Sequence, residues 1–505
     1  MSIFKACDIR GAYPRELNES LYCDLGQAIG SLLRERAAAA PCAAAAPGCA
    51  CAASGPRAPH VLVAGDVRLS TPSLRAALIE GLVATGCCVT DLGMAPTPVA
   101  HFAGRRLRPD ALAIVTASHN PPGDNGLKLS LGPMPIGDAQ MQRIQQTLAA
   151  RRFASGRGTV KTLSVAADYA AWLSAGARPG GGMRLALDCG NGAYSDLAPR
   201  VLRSLGYDVV ELFCSPDGRF PNRSPNPSAP GALKALCAAV VNAQAALGVA
   251  LDGDGDRVAI VGDRGRALTG DEGIILLAQH ILGPARSAAF RPYSSPGAAA
   301  EGTRPEARTT DKVVCDIKCS RAVLDAIAAC GATPLLERSG HAFIRARMLA
   351  EDARFGGELS GHFFYRELEG GDDGLYSILR LAELARESDR PISALVDAMP
   401  HYATTPDVRV AYDAADGPQR LEQLAAAAIA WSEGGHRGEV LRLDGVRVAY
   451  PDGWALARCS VTEPLLTFRF EAFSGSPRTI AERFLAPAPD LLRAVVARLD
   501  FPENA

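Results

Sequence analysis

The sequence predicts an α/β protein, with three similar α/β domains on mixed, largely parallel sheets and a smaller α+β domain at the C-terminal end. Three observations predict it. A short apolar strand, a polar glycine-containing loop and a helix-length segment recur along the chain. The pattern changes after about Thr404. The 505 residues, 48% of them hydrophobic, exceed one ordinary domain.

The recurring units include ALAIVTASHN, RLALDCGNG, LGVALDGDGDR, KVVCDIKCS and ARFGGELSGH. Strands that alternate with helices form parallel sheets, and such sheets carry ligand-binding loops at the carboxyl ends of their strands. The units fall into stretches 1–165, 166–266 and 267–400. From 404 to 505 the strands VRVAY, GVRVAY, ALARCSV and LLTFRFEA with intervening helices read as the α+β domain. Two low-complexity tracts, 37–58 (Ala-rich, broken by Pro and Gly) and 286–310 (Pro, Ala, Gly and Ser), read as flexible surface insertions that carry no chemistry.

Charge and composition exclude several classes. Fifty-three basic and 54 acidic residues give a net charge of -1, which leaves no overall footprint for nucleic acid or an anionic membrane. No apolar run reaches the roughly 18 residues of a membrane span, and Lys5, Asp8 and Arg10 stand where a signal peptide needs an apolar core, so the chain is expected in the cytoplasm. The 14 cysteines are scattered without repeated C-x-x-C pairs, which favours packing thiols over disulfides or zinc.

The first informative loop, Thr116-Ala-Ser-His-Asn-Pro-Pro-Gly-Asp-Asn-Gly-Leu-Lys128, presents Ser118 after the strand ALAIV. A turn rich in Asn, Pro and Gly exposes the hydroxyl and leaves backbone N–H groups for an anion, although taken alone the pattern is better explained by a loop serine bonding its own backbone. There is no G-x-S-x-G elbow, and adjacent residues of an extended chain point to opposite sides, which places His119 poorly as a base for Ser118.

The second loop, Asp252-Gly-Asp-Gly-Asp-Arg257, is more specific. Carboxylates at i, i+2 and i+4 of an extended segment point to one side and repel one another unless a cation is bound. An EF-hand needs Gly at position six and Glu at twelve, but Arg257 and Asp263 stand there. Three protein oxygens leave coordination sites open, which suits Mg²⁺ sharing a phosphate oxygen. The third loop, Gly356-Gly-Glu358-Leu-Ser360-Gly-His362, offers an acceptor and a hydroxyl for sugar hydroxyls or is an ordinary polar turn, and the fourth, Arg458-Cys-Ser460-Val-Thr462, offers a phosphate clamp or is a half-buried strand with outward polar residues.

Together with Cys7-Asp-Ile-Arg10-Gly and DCGNG at 188–192, these loops resemble, in order and over nearly the whole chain, the α-D-phosphohexomutase family, and within it the bacterial phosphomannomutase/phosphoglucomutase group. The resemblance implies four domains around a central cleft, an active-site serine carried as phosphoserine, and one Mg²⁺ per chain. On that likeness Ser118 is the phosphoserine, and Ser118, Asp252, Asp254 and Asp256 hold the metal. Glu358, Ser360 and the loop of Arg458, Ser460, Val461 and Thr462 bind the sugar phosphate. The group usually has Tyr where Cys7 stands and Asn where Val461 stands. Both changes remove polar reach near phosphate, so altered binding is expected rather than loss of activity.

The reaction so implied is reversible phosphoryl transfer between O1 and O6 of mannose and glucose phosphates through a hexose 1,6-bisphosphate, which also serves as activator. Lys128 is the first candidate for proton acceptor and donor, Arg10 orients phosphoryl oxygens, Arg257 adds fixed positive charge and His362 lies near the sugar hydroxyls. Lys318 and His341 meet substrate from the third domain. Hexose phosphates are the expected partners, with no nucleic acid or membrane, and the chain is expected to be a monomer. A phosphoglucosamine or single-sugar phosphoglucose mutase, a phosphatase, and a catalytically silent sugar-phosphate sensor are the alternatives. Retention of Ser118, Lys128 and the three aspartates argues against the sensor.

Overall fold

The computed structural model describes residues 3–5, 8–39, 57–283, 311–412, 416–433, 438–459 and 465–499. The described residues group into two compact units. Unit 1 comprises Met1–Leu268 and Ser360–Ala394, and unit 2 comprises Thr269–Gly283, Ala307–Leu359 and Leu395–Ala505.

Unit 1 contains two mixed sheets. In the first, β2 (His60–Gly65) lies between and parallel to β3 (Cys88–Met94) and β4 (Ala111–Val115), and β7 (Thr159–Thr162) extends the sheet beside β3. On the other side β4 pairs antiparallel with β5 (Asp124–Leu131), which carries β1 (Asp8–Ala12) and the short β6 (Met134–Pro135). In the second sheet β8 (Arg184–Asp188) pairs parallel with β9 (Asp208–Leu212) and β10 (Leu247–Leu251), and β11 (Val258–Gly262) closes the edge antiparallel to β10.

The strands ALAIV and LGVAL are buried at every position. Parallel strands covered by helices on both faces read as such unbroken apolar runs. Helices Glu19–Ala39, Thr71–Ala84 and Asp138–Ala150 contribute Leu25, Ile29, Leu74, Leu78 and Ile144 to the core with Val61, Val63, Ala113 and Leu127 of the first sheet. The polar loops leave the ends of these buried strands.

In unit 2, strand Lys312–Asp316 lies parallel to Thr333–Glu337 and Phe355–Gly357. The C-terminal part folds as an antiparallel sheet of Glu439–Leu441, Val446–Tyr450, Gly453–Cys459 and Leu465–Ala472, covered by helices Gly417–Glu433, Pro477–Leu485 and Pro489–Val496. Mixed α/β sheets followed by an α+β portion are the predicted class.

One expectation changes in detail. Ala37–Ala39, assigned to the first insertion, are the last turn of helix Glu19–Ala39, alanine being the strongest helix former. Residues 40–56 and the tract 286–310 lie outside the described residues. In the two-unit division residues Ser360–Ala394 group with unit 1. None of the described cysteines is in a disulfide. Among the described residues no helix is long and apolar enough to cross a membrane.

Candidate active site

Ser118 follows β4 in the left-handed region, with φ +49°, and is buried. A non-glycine residue holds that conformation only when its surroundings over-determine it. They do: Ser118 N–H donates to Thr116 Oγ1 at 2.8 Å, and Ser118 Oγ donates to Asp252 Oδ2 at 2.7 Å. The turn also overturns the expectation for His119. With Ser118 out of extended conformation the two side chains no longer diverge, and His119 Nδ1 lies 3.4 Å from Ser118 Oγ. Arg257, burial and Arg10 push the imidazole down to about 2, so it faces the serine as a neutral ring and a poor base.

The Asp252-Gly-Asp-Gly-Asp segment leaves β10 and turns within six residues into β11. Asp252 Oδ1 accepts the backbone N–H groups of Gly255 and Arg257, which closes the turn. Gly255 has φ +85°, and a Cβ there would lie 2.2 Å from the Tyr194 ring. Asp252, Asp254 and Asp256 are all buried, and one oxygen from each falls within 4.8 Å of the others. Asp254 Oδ2 accepts Thr97 Oγ1 at 2.7 Å and Lys128 Nζ at 2.8 Å, while its Oδ1 has no partner. Burial and the charges of Asp256 and Asp254 push Asp252 up to about 8. Three buried carboxylates with an unpartnered oxygen fit a hard divalent cation, which would relieve both the repulsion and the orphaned acceptor.

Lys128 lies on β5 opposite Asp8, and its ammonium donates to Asp254 and to Asp256. Burial pulls Lys128 down, but Asp254 and Asp256 outweigh it and raise it well above the ordinary lysine value. With both carboxylates paired to it, Lys128 stands in this structure as a cation and a donor.

Arg10 donates to Thr116 O at 2.7 Å and to Asp8 Oδ2 at 2.8 Å, which fixes it two residues from Ser118. Arg257 and His362 form an isolated antiparallel bridge, and Arg257 Nε donates to His362 Nε2 at 3.3 Å. The same ring nitrogen lies 3.2 Å from Asp256 Oδ1 and 3.7 Å from Asp372 Oδ2, and Nδ1 faces Ser360 Oγ at 3.0 Å. Unit 1 thus gathers Ser118, Lys128, Arg10, Arg257, Ser360, His362 and the three aspartates around one point.

Unit 2 holds a second polar cluster. Asp316, at the end of its strand, accepts Ser339 Oγ at 2.6 Å and the Lys318 N–H at 3.0 Å, while Lys318 Nζ reaches Asp407 at 3.5 Å. Burial lowers Lys318, but Asp316, Asp407 and Glu358 raise it on balance. Arg458 pairs with Asp444 at 2.9 Å. Glu358 is buried, and His341 begins the helix His341–Glu351. Arg447 stacks 4.0 Å over Trp454 and donates to the carbonyls of Ile317 and Cys319, on either side of Lys318. Cys7, Ser460, Val461 and Thr462 lie outside the described residues.

Sequence reasoning missed Asp372, Thr97, Asp66 and Arg68. Asp372 follows the apolar strand Phe363–Tyr365 in the acidic run Gly370-Gly-Asp-Asp-Gly374, and Arg68 follows β2 in Asp-x-Arg, so the strand-end rule that found the other loops pointed at both.

Comparison with known proteins supplies relatives for this arrangement. Models of phosphoglucomutase/phosphomannomutase alpha/beta/alpha domains I, II and III match residues 1–155, 167–265 and 297–402. The chain is 34% identical over 505 residues to a phosphomannomutase/phosphoglucomutase of Pseudomonas aeruginosa, covering 99% of this chain and 97% of the relative. It is 33% identical over 474 residues to a phosphoglucomutase of Neisseria gonorrhoeae, covering 93% of each. The X-ray structure of a phosphoglucomutase/phosphomannomutase family protein from Burkholderia thailandensis superposes with a TM-score of 0.80 at 32% identity and covers 99% of both chains.

Proposed function

The chain belongs to the phosphoglucomutase/phosphomannomutase family and is a hexose-phosphate mutase, and on that premise we propose how its own residues carry the reaction. The reaction is reversible phosphoryl transfer between O1 and O6 of mannose and glucose phosphates through a phosphorylated Ser118 and a 1,6-bisphosphate. The observation that carries this reading is the contact of Ser118 Oγ with Asp252 Oδ2 at 2.7 Å inside a ring of three buried carboxylates and the cations Arg10, Lys128 and Arg257.

Ser118 is the phosphoryl carrier. In the forward half-reaction the bond from Ser118 Oγ to phosphorus breaks as the sugar hydroxyl oxygen forms its own; the sugar hydroxyl gives up its proton and Ser118 Oγ takes one up, so the step is neutral in protons overall. The serine proton stands between Ser118 Oγ and Asp252 Oδ2 in the resting arrangement. Phosphoryl transfer needs little covalent help from protein, and positioning and electrostatics supply most of the acceleration. Arg10, anchored on Thr116 O, and Arg257, anchored on His362, present fixed guanidinium groups to the oxygens of the moving group. Lys128 adds a third cation, and the neutral His119 ring lies against the serine.

Asp252, Asp254 and Asp256, with an oxygen on Ser118, are the ligand set for one Mg²⁺, which when bound offsets charge on the transferring phosphoryl group. Glu358, His341, Lys318 and Arg458 of unit 2, with Ser460, Val461 and Thr462, are assigned to the sugar and to whichever phosphate is not reacting. A hexose 1,6-bisphosphate restores the phosphorylated enzyme when an intermediate escapes. The domain limits 1–165, 166–266, 267–400 and 404–505 are proposed in parallel with the matched family segments.

Mannose and glucose phosphates differ only at C2, and a site that accepts the bisphosphate in two orientations has no dedicated contact for that hydroxyl. Without one, selectivity stays modest, so kcat/KM for the two sugars should agree within about a hundredfold. The test combines intact mass with turnover. After incubation with glucose 1,6-bisphosphate the wild-type chain should gain one phosphoryl group on Ser118 and lose it on addition of glucose 6-phosphate. Coupled assays with mannose 1-phosphate and glucose 1-phosphate should both show Mg²⁺-dependent turnover. Turnover without phosphorylated Ser118, or a sugar ratio above about ten-thousandfold, would overturn the corresponding part of the reading.

A further inference from the structure

Arg68 is fully buried in unit 1, and its guanidinium gathers four backbone carbonyls of the Ser118 loop. Nη2 donates to Ser118 O at 2.9 Å and to Asn120 O at 2.6 Å, and Nη1 donates to Pro121 O at 2.5 Å and to Asp124 O at 2.9 Å. Nε pairs with Asp66 Oδ2 at 3.1 Å.

Asp66 fixes the other flank of the same turn. It accepts Thr116 Oγ1 at 2.7 Å, and Thr116 Oγ1 accepts the Ser118 N–H at 2.8 Å. One buried ion pair therefore sets both peptide groups of the residue that stands at φ +49°.

Packing alone does not call for this arrangement. A fully buried charge pays a large desolvation cost, and apolar side chains of similar volume commonly replace buried ion pairs without loss of stability. Only a planar guanidinium presents five N–H donors in a fixed fork, enough to hold an ion-pair partner and four carbonyls at once. Two of the gathered carbonyls belong to Asn120 and Pro121, which precede prolines, so the loop has few N–H groups of its own to hold its shape.

We propose that Arg68, together with Asp66, is a positioning residue for phosphoryl transfer: it holds Ser118 in the left-handed conformation that aims Oγ at Asp252. The proposal rests on the reading of Ser118 as phosphoryl carrier. Arg68 touches no reacting atom. Loosening the loop displaces Oγ without removing a substrate contact, so kcat falls while KM stays, and a displacement of about 1 Å costs on the order of a hundredfold. A phosphorylated Ser118 that is no longer held also loses its phosphoryl group to water faster.

The test uses the full chain with Arg68→Met, Arg68→Lys and Asp66→Asn. Melting temperature, kcat, KM and the decay of the phosphorylated enzyme by intact mass are read for each. Arg68→Met should lower kcat about a hundredfold with KM within about threefold and faster decay, and Arg68→Lys should recover part of the loss. A lowered melting temperature with wild-type kcat and decay would make the pair purely structural and overturn the proposal. Should Arg68→Met fail to fold, Asp66→Asn decides: a kcat lowered about tenfold at unchanged KM supports the positioning role, and an unchanged kcat refutes it. A wild-type chain that never carries a phosphoryl group on Ser118 overturns the carrier reading itself, whatever the variants do.

Discussion

Ser118 Oγ donates to Asp252 Oδ2 at 2.7 Å across 134 residues of chain. The contact joins the ends of β4 and β10, strands of two different sheets, and it brings their backbones close. A Cβ on Gly253 would lie 2.6 Å from the Ser118 carbonyl oxygen. The first glycine of the acidic loop therefore admits the serine loop, and the second, Gly255, admits Tyr194. Both glycines of the acidic loop thus serve packing.

Ser118→Ala should lower kcat at least about a thousandfold while leaving the far-UV circular dichroism unchanged, because alanine keeps the backbone contacts and removes only the carrier oxygen. Intact mass should show no phosphoryl gain with glucose 1,6-bisphosphate. Turnover near the wild-type rate would remove Ser118 from the mechanism.

Asp254→Asn should weaken Mg²⁺ binding at least about tenfold by calorimetry, since it takes one anionic oxygen from a hard cation. Turnover at saturating Mg²⁺ should fall less than turnover at limiting Mg²⁺. Wild-type binding in this variant, with turnover that survives chelation, would place the cation elsewhere.

Gly255→Ala should both destabilise unit 1 and impair turnover. The residue sits at φ +85°, where an L side chain costs about 1–2 kcal/mol, and its Cβ would meet the Tyr194 ring at 2.2 Å. The melting temperature should drop by a few degrees, and Mg²⁺ affinity should drop with it. A variant that matches wild type on both measures would mean that the loop relaxes freely.

The residues legible from the sequence are those whose chemistry is local. Ser118 and the three aspartates stand at strand ends, and their meaning rests on spacing within a few residues. The alternation of apolar runs and glycine loops likewise predicted mixed α/β sheets, because buried parallel strands need unbroken apolar runs. What depends on one dihedral or on a distant partner was not legible. His119 was misjudged because nothing in the sequence shows that Ser118 leaves the extended region. The pairing of Lys128 was not legible because its two carboxylate partners lie 126 and 128 residues away. Arg68 and Asp66 stand at a strand end that the same rule marks, but the carbonyls Arg68 holds lie 50 to 56 residues away, so what the pair does was not legible.

Asp373 gives a pH signature for the interior of unit 1. It caps the helix Gly374–Glu387 by accepting the Tyr376 N–H at 3.0 Å, and it accepts the hydroxyls of Tyr169 at 2.7 Å and Tyr194 at 3.2 Å. Burial pushes it from the usual 3.8 up to about 6, with Tyr376 N–H, Tyr169 and Arg105 opposing. Between those values the folded chain holds a proton that the unfolded chain has released. Stability therefore falls as pH rises from about 4 to 6 and is flat above, where both states are ionised, and the span amounts to about 3 kcal/mol at most. Asp373→Asn cannot titrate, so its melting temperature relative to wild type should rise through that window and then level off. Both chains carry the other titrating groups, so the difference isolates Asp373. A difference that is constant from pH 4 to 8 would show that Asp373 ionises at its ordinary value inside the fold, and one that grows only above pH 7 would place its ionisation higher than this window.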